Sequence, residues 1–168
     1  MIRRRFLSRG APALAAIALS LAGPSAARAE ERLLLDVYGL SYHPDRSGVH
    51  QQHLDNQFNP GLGLKAELRE DAHSVTFAQV GFYKDSGRHW TAIAGPGYQL
   101  KLDEQWRAGA VLLFFDSRTY NHGRPFVAPI PMLTWDLGRF QLNAVYAPRF
   151  RGINEFAVFG FYASVPLP

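Results

Sequence analysis

The chain has 168 residues and no cysteine, and its formal net charge at pH 7 is +4. This length suits a single domain, and the lack of cysteine excludes disulfide bonds. Five arginines lie within the first 28 residues, and subtracting them from +4 leaves a formal charge of −1 for the rest of the chain. The sequence therefore does not indicate a nucleic-acid-binding protein.

Residues 1–29 have the three-part layout of a secretory signal peptide. Met1 to Arg5 is basic, residues 11–21 are apolar, and Ala27-Arg28-Ala29 presents small residues where a signal peptidase cleaves. The apolar run is about half as long as a membrane-spanning helix requires. We predict a signal peptide over residues 1–29 and one exported domain over residues 30–168, the alternatives being a retained anchor or a transit peptide.

Eight segments after the signal have the composition and alternation of β-strands, and none reads as a long helix. The predicted strands are residues 33–42, 61–69, 74–84, 90–102, 105–115, 125–135, 139–146 and 155–165. Their alternation gives each strand one apolar and one mixed face. We predict an all-β fold, an eight-stranded antiparallel transmembrane β-barrel of the bacterial outer membrane.

The connections between these strands alternate in length. Residues 70–73, 103–104 and 136–138 are short turns, whereas four connections are longer loops: 43–60, 85–89, 116–124 and 147–154. Short turns at one end and long loops at the outer end are typical of outer-membrane barrels, as are aromatic residues near strand ends. A soluble barrel such as a lipocalin, with its apolar face inward, remains the alternative.

Because successive strands run in opposite directions, residues that follow odd-numbered strands lie at the same outer rim, and three of them have side chains that could act together in catalysis. His43 follows the first strand and Asp85-Ser86 follows the third, so both lie at the same end. Imidazole can take a proton from an attacking hydroxyl near neutral pH, and a carboxylate can orient it. Ser86 would be a nucleophile or a donor to an oxyanion. A plain Asp-Ser-Gly turn is the alternative interpretation.

The other loop histidines fit no metal motif. His50, His53, His89 and His122 have no standard ligand spacing, and no cysteine accompanies them. We therefore expect exposed loop side chains, with no metal and no cofactor.

Prolines interrupt the sixth strand and end the seventh. Pro125, Pro129 and Pro131 cannot donate ladder hydrogen bonds, and Pro148 follows the seventh strand. A gap in hydrogen bonding between these two strands would let a lipid tail pass sideways into the barrel. A bulge or a frayed edge is the alternative.

The residues around this group resemble the lipid A palmitoyltransferase (PagP) family. The central stretch is Lys84-Asp85-Ser86 followed by Trp90 and Ile93-Ala94-Gly95-Pro96-Gly97. The Tyr42-His43 pair, the glycine-rich second strand, the proline-rich sixth strand and the Tyr146-Ala147-Pro148 segment are also similar. The likeness runs from about Leu35 to Phe161.

This resemblance implies an acyltransferase that moves a palmitoyl chain from a phospholipid donor to a hydroxyl of lipid A. It implies His43, Asp85 and Ser86 as catalytic residues, Gly97 as the floor of an interior acyl-chain well, and Pro131 and Pro148 as a lateral gate. The protein would act as a monomer in the outer membrane.

The sequence also departs from the family. Only residues 30–33 precede the first strand, so the family's amphipathic helix is not expected, and Tyr38 replaces the proline of a second gate. Two other functions therefore remain open: a non-catalytic lipid-binding or structural barrel, and a hydrolase that cleaves the acyl ester with water.

Overall fold

The computed structural model describes residues 31–168, so the predicted signal peptide lies outside the described residues. The strands are β1 (Arg32–Tyr42), β2 (Phe58–Glu70), β3 (Ser74–Lys84), β4 (Trp90–Lys101), β5 (Trp106–Asp116), β6 (Phe126–Asp136), β7 (Gln141–Ala147) and β8 (Val158–Pro166). Each strand pairs with the next, and β8 pairs antiparallel with β1 to close a barrel. The predicted eight-stranded antiparallel fold is confirmed.

The predicted strand bounds were close except at two strands. β3 has the predicted bounds, whereas β2 begins three residues earlier, at Phe58, and β8 begins three residues later, at Val158. In β2 the strand continues through Pro60, which the sequence interpretation had placed in the preceding loop. A short helix, α1 (Arg46–Gln51), and a 3-10 turn, Asn121–Gly123, lie in the long loops.

Long and short connections lie at opposite ends of the barrel. Residues 43–57, 85–89, 117–125 and 148–157 join the strands at one end, which we call the loop end. Residues 71–73, 102–105 and 137–140 join them at the other, the turn end. Among the described residues, no helix is both long enough and apolar enough to cross a membrane.

The outer face of the barrel is apolar. In β2, Leu62, Leu64 and Leu68 are exposed, whereas Lys65 and Glu67 are buried inside. The other strands expose a similar set: Val37, Val80, Phe82, Leu100, Leu112, Val127, Leu133, Leu142, Phe161 and Val165. Apolar side chains on the outside and polar ones inside are the reverse of a soluble carrier barrel, and they are consistent with an outer-membrane barrel.

Aromatic pairs lie near both ends of this apolar face. Trp106 and Trp135 stack near the turn end, with ring centroids 5.4 Å apart and planes at 2°. Phe82 and Trp90 pack at 5.7 Å near the loop end. Aromatic rings in these positions match the two girdles of membrane barrels.

Charged side chains fill the interior near the turn end, a region that we call the polar plug. Arg107 donates to Glu67 Oε1 at 2.9 Å and to Asp136 Oδ2 at 2.7 Å. Lys65 Nζ donates to Gln141 Oε1 at 2.6 Å, and Gln141 Nε2 donates to Glu67 Oε1 at 2.9 Å. Because buried charges are costly unless paired, these mutual contacts are what allow the barrel to close around them. The plug occupies the interior at this end.

The interior of the barrel becomes apolar toward the loop end. A buried apolar cluster follows the polar plug: Phe77, Ile93, Val111, Leu113, Phe115, Ile130, Met132 and Tyr162. The barrel is therefore polar and filled in its turn-end half, and apolar in its loop-end half.

Candidate functional site

An apolar cavity of ≈ 300 Å³ occupies the loop-end half of the barrel. Tyr38, Tyr83, Ile93, Leu113 and Tyr162 are among its inner walls. This volume is at the lower end of the range for small-molecule pockets, about 300–1,000 Å³. Its lining suits a hydrocarbon chain rather than a polar ligand.

The wall of this cavity is incomplete between β6 and β7. Their ladder runs from Asp136–Gln141 to Met132–Val145 and pairs nothing beyond that point. The remainder of β6 toward the loop end, Phe126 to Pro131, pairs only with β5. The predicted gap in hydrogen bonding between these strands is therefore present.

The prolines explain where the ladder stops. Pro129 and Pro131 lie two residues apart, so their missing N–H groups belong to the same edge of β6. The β5–β6 ladder continues past both prolines, opposite Leu112 and Ala110. The missing donors therefore belong to the edge that faces β7. Pro129 and Pro131 are both exposed on the outer face. Pro148, which follows β7, lines the cavity together with Pro129, whereas Pro131 does not line it.

The loops that carry His43 and Asp85-Ser86 meet at the loop end, as strand parity predicts. The Asn56 backbone N–H donates to Ser86 O at 3.3 Å, and Asn56 Nδ2 donates to Asp85 O at 3.1 Å. Arg88 forms an ion pair with Asp55 at 3.3 Å. These contacts join the loop after β1 to the loop after β3.

His43 is buried yet has an unused ring nitrogen. It is 5% exposed, and its Nδ1 has no hydrogen-bond partner within residues 31–168. Burial lowers the pKa of His43 below its ordinary 6.5, so the ring is neutral at pH 7. It lines a second pocket, formed with Arg46, Val49, His50, Asp55 and Gln57. A neutral imidazole with a free nitrogen can accept a proton.

Asp85 contacts other partners than the sequence interpretation assigned to it. Its side chain is fully buried and accepts hydrogen bonds from Thr91 Oγ1 at 2.8 Å, Ser117 Oγ at 3.1 Å and the His89 backbone N–H at 2.9 Å. No hydrogen bond joins it to His43 in the described part of the chain. Through these hydrogen bonds, Asp85 connects the loop after β3 to the start of β4 and the end of β5. In this conformation it anchors the rim and does not orient the histidine.

Ser86 faces the apolar cavity. It is 3% exposed and lines that cavity together with Tyr120, from the loop after β5. Burial, and next the nearby Asp85 carboxylate, raise the pKa of the Tyr120 phenol, so the phenol keeps its proton and can donate a hydrogen bond. Tyr120, Thr91 and Ser117 were missed in the sequence, since isolated hydroxyl side chains far apart in the chain give no pattern.

Gly97 lies inside the barrel but is not among the residues that line the cavity. It is buried inside the barrel, but a Cβ there would collide with the ring of Phe77, which lies over it. The cavity lining includes the buried residues Gln79, Ile130 and Tyr162. The missing side chain of Gly97 makes room for the ring of Phe77, which belongs to the same buried cluster as the cavity-lining residues Ile93 and Tyr162. The role of Gly97 as the floor of an acyl-chain well stays a prediction.

The remaining loop histidines lie outside any metal site. His50 Nδ1 is 3.1 Å from Asp55 Oδ2 at an exposed position, and His89 Nδ1 is 3.2 Å from Thr119 Oγ1. Among residues 31–168, no group of three or more His, Asp or Glu side chains is placed to hold a metal ion. Comparison with protein-family models and with curated proteins found no match for this chain.

Proposed function

We propose that this protein is an outer-membrane acyltransferase, which moves a fatty acyl chain from a phospholipid to a hydroxyl of lipid A. The observation that carries the proposal is the apolar cavity at the loop end together with the gap between β6 and β7. A lipid tail fits the cavity and can reach it sideways from the surrounding bilayer. Its ester would then lie at the rim, near Ser86.

His43 is the general base in this proposal. Its neutral ring takes the proton of the acceptor hydroxyl as the hydroxyl oxygen attacks the ester carbonyl carbon. The tetrahedral intermediate collapses, the ester C–O bond breaks, and the same proton goes to the leaving oxygen of the lysophospholipid. No cofactor is required, since the reaction exchanges one ester for another.

Ser86 and Tyr120 supply hydroxyl donors beside the cavity, where the carbonyl oxygen acquires negative charge. Asp85 is a positioning residue that holds the Ser86 loop through Thr91 and Ser117. His43 lines a different pocket from Ser86, so a shift of the α1 loop has to bring the histidine to the ester. That shift is part of the proposal.

The decisive test is the mass spectrum of lipid A from an outer membrane that contains this protein, in a host without such an enzyme. We expect lipid A to gain one acyl chain, and we expect His43→Ala to abolish the gain while the barrel stays folded. His53→Ala, another loop histidine, is the matched control. A folded barrel that leaves lipid A unchanged would refute the transfer.

A non-catalytic lipid-binding barrel is the second candidate. The observation in its favour is that no hydrogen bond links His43 to Asp85 or Ser86 in residues 31–168. Retention of lipid by the purified protein, with lipid A unmodified and no free fatty acid released, would support this candidate. Release of free fatty acid alone would identify a hydrolase with water as the acceptor.

A further inference from the structure

Three arginines flank the loop-end opening between β6 and β7. Arg124 lies two residues before the start of β6, and Arg149 and Arg151 lie two and four residues after the end of β7. All three are exposed, and none forms an ion pair within residues 31–168. Their guanidinium groups are therefore free to bind an anion from outside the protein.

The loops that carry these arginines are joined across the opening. The Asn121 backbone N–H donates to Ile153 O at 2.8 Å, and Asn121 Nδ2 donates to Arg124 O at 3.0 Å. Asn154 Nδ2 donates to Pro148 O at 3.0 Å, and Phe150 bridges to Asn154. The Asn121–Ile153 hydrogen bond thus joins the two arginine-bearing loops, and the other contacts hold each loop in its own conformation.

The same loops line the apolar cavity. Pro148, Phe150, Ile153 and Asn154 contribute to its wall alongside Val127 and Pro129 of β6. An acyl chain in the cavity would leave it between these residues. The polar end of that molecule would then lie beside the three guanidinium groups.

Few acidic groups oppose this positive charge. The two loops, residues 117–125 and 148–157, contain four arginines, including Arg118, but only one acidic residue, Glu155. Glu155 Oε1 already accepts a hydrogen bond from the Gly152 backbone N–H at 2.8 Å. Asp116, at the end of β5, is the neighbouring exposed carboxylate. The opening therefore combines an apolar well with a cationic border.

We propose that the molecule admitted through this opening is a phospholipid with a net negative headgroup, whose phosphate is bound by Arg124, Arg149 and Arg151. This inference rests on the proposed function, since it specifies the acyl donor. Guanidinium groups bind phosphate in a bidentate manner, whereas the ammonium group of a zwitterionic headgroup would be repelled by them. The arginines would thus select the donor by the charge of its headgroup, and the apolar cavity would select it by its acyl chain.

The experiment measures lipid binding and does not require acyl transfer. The purified full chain, folded in detergent, is incubated with equal amounts of phosphatidylglycerol and phosphatidylcholine that have identical chains. Native mass spectrometry then gives the ratio of the two bound lipids. We expect about a tenfold preference for phosphatidylglycerol, because exposed ion pairs contribute little each and three act together.

The triple variant Arg124→Gln, Arg149→Gln, Arg151→Gln should lose this preference while still binding lipid. The control variant Arg139→Gln removes an exposed arginine at the turn end and should retain the preference for phosphatidylglycerol. Added inorganic phosphate at millimolar concentration should not displace the bound lipid, because the chain supplies the rest of the affinity. Equal binding of both lipids by the unaltered protein, or an undiminished preference in the triple variant, would overturn the proposal even if lipid A is acylated.

Discussion

The ring of Phe77 lies over Gly97 inside the barrel, where the two residues face each other across the β3–β4 ladder. A glycine is required there because any Cβ would collide with the ring. Phe77 also packs in the buried cluster that includes the cavity-lining residues Ile93 and Leu113. If the proposed function holds, we expect this pair to limit the length of the acyl chain that the cavity accepts.

Replacing Phe77 should lengthen the acyl chain that the protein accepts. Phe77→Ala removes a ring from the buried cluster that borders the cavity and should shift bound or transferred chains to greater length, as measured by mass spectrometry. The same change should destabilise the barrel by about 3–5 kcal/mol, as core Phe→Ala substitutions do. Phe82→Ala removes an exposed ring on the outer face and should leave the chain length unchanged. An identical chain-length profile in Phe77→Ala would show that the floor lies elsewhere.

Activity should decline at low pH, through protonation of His43. A protonated imidazole cannot take the proton of the attacking hydroxyl. Burial holds the pKa of His43 below the ordinary 6.5. The acid limb of the rate profile should therefore have its midpoint below pH 6.5. His53→Gln changes an exposed histidine of the same loop and should preserve that midpoint. A midpoint above 6.5 would contradict a buried, neutral base.

Removing the Asp85 carboxylate should loosen the rim. In Asp85→Ala the Thr91 and Ser117 hydroxyls and the His89 N–H lose their acceptor, at roughly 1–3 kcal/mol for each group left unsatisfied. Urea unfolding should show a large loss of stability, whereas Asp85→Asn, which keeps one acceptor oxygen, should lose less. Because Asp85 holds the Ser86 loop, its loss should also lower acyl transfer. The double variant Thr91→Val, Ser117→Ala should show part of that loss of transfer. If that double variant were fully active while Asp85→Asn was inactive, Asp85 would act directly on the reacting groups.

Restoring backbone donors in β6 should slow access to the cavity. In the double variant Pro129→Val, Pro131→Val, two N–H groups return to the edge that faces β7, so the ladder can extend past Met132–Val145. We expect slower uptake of a phospholipid from vesicles and slightly higher stability, about 1 kcal/mol per added hydrogen bond. Pro125→Val, just before the strand, is the control. Unchanged uptake would place the route of the lipid somewhere other than this opening.

The polar plug should be essential for the folded barrel. Arg107→Met removes the closest cation of Glu67 and Asp136 and leaves them only Arg32, at 3.9 Å and 3.3 Å. Breaking a buried pair in this way costs about 3–5 kcal/mol. The barrel should unfold at lower urea concentration, while Arg139→Met, at an exposed turn position, should have little effect. Equal stability of these two variants would mean that the plug contributes little to folding.

The strands and the placement of the loops follow from the sequence alone. Alternating apolar residues, such as Leu62, Leu64 and Leu68, must all point the same way because side chains in a strand alternate between its two faces. The order of long and short connections places His43 and Asp85 at the same end. The prolines of β6 locate the gap, because a residue without an N–H cannot extend a ladder.

Only the tertiary structure decided which side chains meet. Asp85 bonds to Thr91 and Ser117 rather than to His43, and Phe77 fills the space above Gly97. These contacts join residues of different strands, and their geometry depends on strand register and barrel closure, neither of which periodicity specifies. The alternation of apolar and polar residues shows which side chains point inward. Which residues these side chains contact is determined by the strands across the barrel.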